Sequence, residues 1–164
     1  MKSNITLIGM PGAGKSTIGV ILAKNLGLSF IDTDMLIQIN QQKSLQQIID
    51  ENDHLYLRAV EEKEILKINI KKHVIATGGS AAYSEKAMAH LLCISKIIFL
   101  KVNFEEIKKR INNFDTRGIA KAKNQTFQDL FIERQKLYKK YAEIVIDCNG
   151  LGQEELAALI AKSI

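Results

Sequence analysis

Residues 9–16 read Gly-Met-Pro-Gly-Ala-Gly-Lys-Ser, with three glycines placed before a lysine and a serine. Glycines let the backbone curl so that successive N–H groups point at phosphate oxygens, and the helix that follows directs its positive end toward the same anion. In this pattern Lys15 reaches the β- and γ-phosphates, and the Ser16 hydroxyl is a ligand of Mg²⁺. The segment therefore predicts a site for a nucleoside triphosphate.

The sequence on either side of this loop has the pattern that a phosphate loop requires. Before it, residues 5–8 form a short apolar run of the kind found in buried strands. After it, apolar residues at Ile18, Ile21, Leu22 and Leu26 recur at helical spacing. Because a strand, a glycine loop and a helix follow one another, we favour a phosphate site over a glycine-rich turn that binds nothing.

Strand-like and helical segments alternate along the rest of the chain. Further apolar runs of strand type occupy 28–31, 73–77, 95–102 and 143–147. Helical patterns occupy 15–26, a broken region from 35 to 71, 85–92, 104–111, 127–142 and 154–163. Ser44 with Gln47 and Ser84 with Glu85 are helix-start signals. The alternation predicts a single α/β domain over residues 1–164, with a five-stranded parallel sheet covered by helices on both faces in three α/β/α layers.

Residues 112–125 are the least patterned part of the chain; they are polar and contain Gly118. Loops of this length in compact domains are usually functional, and many of them close over a bound ligand. Pro11 is the only proline in the sequence, so no proline stiffens this segment. We therefore predict a mobile lid at about 112–125 that closes over bound nucleotide.

Composition limits the partners and the location. The net charge is +5, but the lysines are scattered over predicted helix faces without interleaved aromatic residues, which favours a solvated basic surface over nucleic-acid binding. No apolar run is long enough to span a bilayer, and the first strand begins too early for a signal peptide. Cys93 and Cys148 lack metal-type spacing and are expected to be buried free thiols. We expect a cytoplasmic monomer without nucleic-acid or membrane partners.

Two aspartates, Asp32 and Asp34, follow the second strand-like run. Ligands of parallel sheets collect at the carboxyl ends of the strands, and we expect the second strand to run near the first. Both carboxylates are then near the phosphates, where Asp32 can hold Mg²⁺ through water and Asp34 can orient an acceptor hydroxyl and take its proton. The alternative is that Asp32 or Thr33 caps the next helix.

Arg58 and Glu61 lie three residues apart on a strongly helical stretch and therefore share a helix face. Two interpretations are open. The residues form a surface ion pair of small energetic value, or Glu61 holds the Arg58 guanidinium as a fork for a substrate carboxylate.

Three further signals are weak when taken singly. The third strand-like run ends in Thr77-Gly78-Gly79-Ser80, where adjacent glycines let a ligand approach the backbone closely, although a simple turn would use the same residues. Arg117 lies in the predicted lid, from which it can reach the γ-phosphate. Arg134 lies in a predicted helix. For either arginine, residue type alone favours a solvated side chain.

In this order and spacing, the segments resemble the shikimate kinase family over essentially the whole chain. That family has a phosphate loop, an Asp-(Ser/Thr)-Asp after the second strand, an Arg-x-x-Glu helix, a Gly-Gly-Gly turn, a lid arginine and a late Arg-x-x-x-Tyr. The matching segments here are 9–17, 32–34, Arg58 with Glu61, 78–80, Arg117, and Arg134 with Tyr138. The resemblance implies a P-loop NTPase fold of the nucleoside-monophosphate-kinase type. It also implies transfer of the γ-phosphate of ATP to the 3-hydroxyl of shikimate, on the route to chorismate and aromatic amino acids.

The resemblance further implies a role for each matching residue. The implied ATP-binding residues are Gly12, Ala13, Gly14, Lys15, Ser16, Thr17, Arg117 and Arg110, the last of which would stack on adenine. Ser16 and Asp32 are the implied Mg²⁺ residues. The implied acceptor-binding residues are Asp34, Arg58, Gly79 and Arg134, reached from a helical region at about 33–61. Lys15, Asp34 and Arg117 are the implied catalytic residues, and the two other arginines clamp the acceptor carboxylate.

Three positions depart from the family pattern, and all lie around the acceptor pocket or the lid. Ser80 replaces the third glycine, Gly118-Ile119 replaces the usual Pro-Leu after the lid arginine, and Leu57 replaces an aromatic residue. Two alternative functions stay open: a related kinase acting on another carboxylated alcohol or a sugar acid, and a regulator that binds ATP without transferring phosphate. The intact Lys15 and Asp34 argue against the regulator.

Overall fold

The computed structural model of the chain describes residues 2–114 and 116–164. Met1, which belongs to the predicted domain, and Asp115, which belongs to the predicted lid, lie outside the described residues. The strands are β1 (Asn4–Ile8), β2 (Ser29–Asp32), β3 (His73–Ala76), β4 (Ser95–Lys101) and β5 (Ile144–Asp147). The helices are α1 (Lys15–Leu26), α2 (Thr33–Gln41), α3 (Leu45–Glu51), α4 (His54–Leu66), α5 (Glu85–Ile94), α6 (Phe104–Arg110), α7 (Phe127–Tyr141) and α8 (Gln153–Ser163).

The five strands form one parallel sheet in the order β2-β3-β1-β4-β5. Each predicted strand is present within one residue of its expected bounds, and the broken helical region resolves into α2, α3 and α4. The crossover after β1 runs toward β2, whereas the crossovers after β2, β3 and β4 run the opposite way. Right-handed connections therefore put α1 on one face and α4, α5 and α7 on the other. The predicted three-layer α/β/α fold is confirmed.

The order of the strands decides which loops meet. β3 lies between β1 and β2, so the second strand runs one strand away from the first rather than beside it. The loops after β1 and β3 leave adjacent strands toward opposite faces, which opens a crevice at their carboxyl ends. The phosphate loop at 9–16 and the turn at 78–80 face each other across that crevice.

Two hydrophobic cores support the molecule. The larger one fills the space around the sheet and includes Leu7, Ile98 and Phe99, all fully buried. The smaller one joins α2, α3 and α4 to the predicted lid; its buried members are Ile37, Ile48, Leu57, Val60 and Ala120. The helical region at 33–61 is thus packed around its own core, and residue 120 of the predicted lid is part of it.

The sequence predictions on cysteines and capping have mixed outcomes. Ser44 and Gln47 form a capping box at α3, and the Ser84 hydroxyl caps α5, as predicted. Cys93 and Cys148 are both free thiols; Cys148 is buried, but the prediction that Cys93 is buried is wrong, because it lies on the exposed side of the last turn of α5. In the part of the chain described, no helix is both long and apolar enough to cross a membrane.

A buried asparagine fixes the amino-terminal end of the sheet. The Asn4 amide donates to the carbonyls of Ile70 at 2.8 Å and Ile94 at 3.1 Å, and its oxygen accepts from the His73 N–H at 3.0 Å. One side chain therefore satisfies three backbone groups from segments far apart in the sequence.

Removing this side chain should destabilise the fold. We expect Asn4→Ala to lower the free energy of unfolding by about 2–4 kcal/mol, because it leaves buried backbone groups without partners. Urea unfolding measures the change, with Asn25→Ala on the exposed face of α1 as the matched control. A loss no larger than that of the control would contradict this account of the sheet.

Candidate active site

The loop after β1 has the shape of a phosphate cradle. Gly12 and Gly14 have φ of +80° and +94°, a region that favours glycine, and a Cβ on Gly12 would lie 2.9 Å from the Ile111 side chain. Gly14 is the residue before α1, so the free N–H groups of the first helical turn point into the loop. These features can hold a phosphate anion at the amino end of α1.

Lys15 is buried at the mouth of this loop. Its Nζ donates to the carbonyls of Gly9 and Met10, both at 2.8 Å. Burial lowers the pKa of Lys15 to about 8, against the opposing influence of Asp34 and Asp32. The ammonium group is held in place by the loop's own carbonyls and lies near two carboxylates.

Asp32 caps α2, as one of the two interpretations predicted, and it also contacts the phosphate loop. Its Oδ1 accepts from the N–H of Asp34 at 2.9 Å and of Met35 at 3.3 Å, which caps α2. Its Oδ2 accepts from the Ser16 hydroxyl at 2.5 Å, across the gap between β2 and the phosphate loop. Capping therefore leaves the other carboxylate oxygen available to the loop.

The paired oxygens of Ser16 and Asp32 fit Mg²⁺. They are hard oxygen donors, and Mg²⁺ in nucleotide sites usually takes only one or two protein oxygens and draws the rest from phosphate and water. Across residues 2–114 and 116–164, no cluster of three or more His, Cys, Asp or Glu side chains could hold a metal ion. The donor set is that of a nucleotide-bound ion rather than a metal cage made of protein alone.

Two carboxylates, the buried Glu61 and the half-buried Asp34, lie in the floor of the crevice. A Cβ built on Gly78 would lie 2.3 Å from Glu61 Oε1 and 2.5 Å from Asp34 Oδ1, so both carboxylates touch the Gly78 backbone. Burial raises the pKa of Asp34 to about 6, and the charge of Asp32 adds to this shift. Burial likewise raises the pKa of Glu61 to about 7, and the charge of Asp34 adds to that shift. Lys15 and Arg134 partly offset both shifts. This glycine is required because any side chain would displace the two acids.

Ser80 gives Glu61 its hydrogen-bond partner. The Ser80 hydroxyl donates to Glu61 Oε2, whereas Oε1 is buried beside Gly78 and has no hydrogen-bond partner among the described residues. The residue that departs from the family's third glycine thus holds the buried acid in place.

Arg58 does not form the contact predicted from sequence. Within the described residues no ion pair joins it to Glu61, so the predicted contact between these two side chains is wrong. Its guanidinium carbon lies 3.5 Å from the centre of the Tyr83 ring, and its Nη2 donates to the Ala120 carbonyl at 3.3 Å. Arg58 borders a second, adjoining cavity on the Tyr83 side rather than lining the crevice itself.

Arg134 is buried, so its sequence-based interpretation as a solvated side chain is wrong. It is 1% exposed, and its Nη2 donates to the same Ala120 carbonyl at 2.7 Å. Its neighbour on α7, Tyr138, donates to the Gly79 carbonyl at 2.6 Å. Both guanidinium groups therefore converge on one backbone oxygen of the predicted lid.

Residues 116–120 are docked against the helical region. Gly118 has φ of +72°, its N–H donates to Gln46 Oε1 at 2.9 Å, and a Cβ there would lie 2.5 Å from the Leu45 Cβ. Proline, which is common here in the family pattern, has the wrong φ and lacks the N–H. Leu57, another departure, packs with Ala120 in the smaller core. Gly118 and Leu57 therefore both contribute to the contact between residues 116–120 and the helical region.

The remaining predicted residues surround a cavity of about 330 Å³. Gly79 lies across the crevice from Pro11, and Arg117 is exposed at the rim, where its charge lowers the pKa of Asp34. Arg110 lies beside the phosphate loop, and its Nη1 is 3.4 Å from the Gly12 carbonyl. The predicted residues that line the cavity are Gly12, Gly14, Lys15, Ser16, Thr17, Asp34, Gly79, Arg110, Arg117 and Arg134.

Sequence reasoning missed three parts of this arrangement: the Tyr83 ring, the Ser80 hydroxyl as a partner of Glu61, and the Ala120 carbonyl. Tyr83 ends a short 3₁₀ helix at Ala81–Tyr83 that no periodicity indicates. A backbone carbonyl carries no sequence signal at all.

A phosphate cradle, an adjacent buried acid and cations on both sides of one crevice define a P-loop kinase that acts on a small molecule. A family model described as shikimate kinase matches residues 11–164. The chain is 36% identical to the shikimate kinase of Clostridium botulinum (strain ATCC 19397 / Type A), over 96% of this chain and 94% of that protein. It is 31% identical to the shikimate kinase of Moorella thermoacetica, over 100% and 93%. The chain therefore belongs to the shikimate kinase family.

A solved structure agrees with this assignment. The shikimate kinase from Acinetobacter baumannii in complex with shikimate superposes with a TM-score of 0.91 at 28% identity, covering 99% of this chain and 93% of that one. The expected nucleoside-monophosphate-kinase-like P-loop fold is confirmed, as is the membership of a family of kinases that use ATP and Mg²⁺.

The buried acids should make stability depend on pH. Because the pKa of Glu61 is higher in the folded state, the folded chain keeps a proton that the unfolded chain loses above about pH 4. The free-energy cost of ionising Glu61 in the folded state is absent below that pH, grows as the pH rises, and reaches its full value above about pH 7. We expect Glu61→Gln to gain stability relative to the wild type between pH 4 and 8, by on the order of 3 kcal/mol.

Denaturant unfolding at several pH values measures this difference, with Glu154→Gln at an exposed site as the matched control. If the difference in unfolding free energy between Glu61→Gln and the wild type stayed constant over that pH range, the pKa of Glu61 would not be shifted by burial.

Proposed function

We propose that the protein transfers the γ-phosphate of ATP to the 3-hydroxyl of shikimate, forming shikimate 3-phosphate and ADP in the biosynthesis of aromatic amino acids. Its membership of the shikimate kinase family supports the reaction, and the relative from Acinetobacter baumannii was solved with shikimate bound. The observation that carries the acceptor class is the convergence of Arg58 and Arg134 on one oxygen.

The phosphate loop forms the donor half of the site. The backbone of Gly12 to Thr17 and the Lys15 ammonium group hold the phosphates of ATP, and Arg110 lies where it can stack on adenine. Ser16 and Asp32 hold Mg²⁺, which neutralises phosphate charge when it is bound. To engage phosphate, Lys15 exchanges its contacts with the Gly9 and Met10 carbonyls for phosphate oxygens.

The two arginines and Gly79 form the acceptor half. Guanidinium groups bind carboxylates more strongly than they bind a neutral carbonyl, because both partners are charged. A substrate carboxylate therefore competes with the Ala120 carbonyl for the Nη2 atoms of Arg58 and Arg134. We infer that the carbonyl occupies the position of the acceptor carboxylate until the substrate displaces it.

Asp34 lies between these two halves and acts on the acceptor hydroxyl. Its carboxylate orients the hydroxyl for in-line attack and accepts its proton, while the buried surroundings strengthen each charge interaction. Arg117 moves from the rim with the lid at about 112–125 and neutralises charge on the transferring phosphoryl group. Little covalent help is needed because positioning and charge neutralisation dominate phosphoryl transfer.

We also propose that the enzyme is a single kinase domain, works as a monomer and is cytoplasmic. The phosphate loop, Asp34 and Arg134 line one cavity within a single domain, which supports a site formed by one chain. Its use of ATP and its free thiols at Cys93 and Cys148 fit the cytoplasm. Sedimentation at equilibrium tests the monomer.

A coupled assay of ADP release tests the reaction, with shikimate, quinate, homoserine and gluconate offered in parallel. We expect turnover of shikimate alone, and Lys15→Ala should abolish it. Turnover of another acceptor but not shikimate would overturn the proposed acceptor and keep the kinase class. ATP binding without turnover of any acceptor would instead favour the regulator.

The role of Asp34 predicts both a rate and a pH effect. Asp34→Asn should lower kcat by about 10²- to 10⁴-fold, the range for loss of a general base, and leave ATP binding nearly unchanged. Because only the carboxylate form accepts a proton and the pKa of Asp34 is raised to about 6, kcat/KM should fall as pH drops below about 6.

Steady-state rates from pH 5 to 9 measure both effects, with Asp147→Asn at an exposed site as the control. Unchanged turnover in Asp34→Asn would remove Asp34 from the chemistry. A kcat/KM that does not fall between pH 6 and pH 5 would show that the pKa of Asp34 is not raised.

A further inference from the structure

We propose that Tyr83 is a positioning residue for the acceptor carboxylate, acting through the face of its ring against the guanidinium of Arg58. The proposal rests on the proposed function, because it concerns the arginine that we place on the carboxylate of shikimate. Neither the sequence pattern nor the family resemblance pointed to Tyr83.

The surroundings of Arg58 show why it needs such a support. In the described part of the chain its guanidinium makes one hydrogen bond, the 3.3 Å contact to the Ala120 carbonyl, and its Nε is buried without a partner. When a substrate displaces the carbonyl, that hydrogen bond is lost. The Tyr83 ring, 3.5 Å from the guanidinium carbon, is then the contact that fixes the plane of the group.

Glu61, the acid expected to hold Arg58, interacts with other residues instead. Glu61 accepts from the Ser80 hydroxyl and faces Asp34 across Gly78. A chain with glycine at position 80 lacks that hydroxyl, so Ser80 and Tyr83 form a linked arrangement in this protein. Ser80 donates a hydrogen bond to Glu61, and the Tyr83 ring packs against Arg58.

Tyr83 is itself held at both ends. Its backbone belongs to the short 3₁₀ helix that follows the Gly78–Ser80 turn, and its hydroxyl donates to Glu133 on α7. Glu133 directly precedes Arg134, whose guanidinium carbon is 5.6 Å from the same ring. One tyrosine therefore connects the elements that carry both arginines of the clamp.

The protonation state of Tyr83 suits this role. Burial and the Glu133 carboxylate raise the pKa of the Tyr83 phenol, so its hydroxyl remains a donor at neutral pH. The aromatic ring stays neutral, and its electron-rich face remains available to the cation.

Steady-state kinetics of two variants test the proposal. Tyr83→Leu removes the ring face and should raise the KM for shikimate about 2- to 30-fold, the span of cation–π contacts from exposed to desolvated sites. The KM for ATP and kcat should change little. Tyr83→Phe keeps the ring and should restore most of the affinity, and Tyr56→Leu, at an exposed tyrosine of α4, is the matched control.

A double-mutant cycle separates positioning from a general packing defect. If Tyr83 acts through Arg58, Tyr83→Leu should have no further effect on the KM for shikimate once Arg58→Ala is present. Full additivity of the two changes, or equal effects on the KM values for ATP and shikimate, would overturn the proposal. Glu133→Ala, at an exposed position, gives a variant that leaves the core intact and should raise the KM for shikimate about 2- to 5-fold.

A measurement without turnover keeps the two proposals distinguishable. Stacking on the ring should shift the NMR signals of the Arg58 side chain upfield in the wild type and in Tyr83→Phe, and Tyr83→Leu should lose that shift. If the wild-type enzyme does not phosphorylate shikimate but shows the upfield shift of the Arg58 signals, only the proposed function is overturned. Absence of the shift in the wild type would overturn the role of Tyr83, whatever the acceptor.

Discussion

The rest of the site depends on the interactions of the buried guanidinium of Arg134. It donates to the Ala120 carbonyl at 2.7 Å, and its Nη1 would lie 2.6 Å from a Cβ on Gly79. Its charge lowers the pKa of the acids Asp34 and Glu61 and also that of Lys15. The guanidinium lies so close to Gly79 that no larger residue fits at that position of the turn. It also holds the lid through the Ala120 carbonyl, and its charge favours the ionised forms of the acids in the crevice.

Burial of opposite charges in one crevice explains both its composition and its chemistry. Isolated buried charges are costly, so the acids Asp34 and Glu61 persist because Lys15 and Arg134 lie near them. The same cations are suited to receive further negative charge, from phosphate at one end and from a carboxylate at the other. Binding of the substrates thus completes an electrostatic arrangement that the free enzyme already contains.

The local patterns in the sequence were sufficient for the fold and for the position of the phosphate loop. Strand bounds, the phosphate loop and the helix caps depend on short stretches of chain, and the alternation of apolar segments fixes the layers. Asp32 shows the limit of that reasoning: a metal role and capping were alternatives in the sequence, whereas one carboxylate oxygen caps α2 and the other remains free to contact Ser16.

The acceptor half could not be predicted to the same depth, because its contacts join segments that are distant in sequence. Glu61 and Arg58 share a helix face, yet one is held by Ser80 and the other by Tyr83. The docking of the lid depends on the positive φ of Gly118 and on a backbone carbonyl, neither of which side-chain patterns reveal. The departures from the family pattern were visible in the sequence, but their meaning required the packing.

In the proposed mechanism, the Ala120 carbonyl accepts hydrogen bonds from Arg58 and Arg134 until a substrate carboxylate takes its place. A crystal structure of the enzyme with shikimate and ADP tests this exchange. We predict carboxylate oxygens at hydrogen-bond distance, about 2.7–3.0 Å, from both Arg58 and Arg134, with the Ala120 carbonyl moved away and a hydroxyl on Asp34. A complex in which shikimate lies elsewhere while the carbonyl still accepts from both arginines would contradict the account.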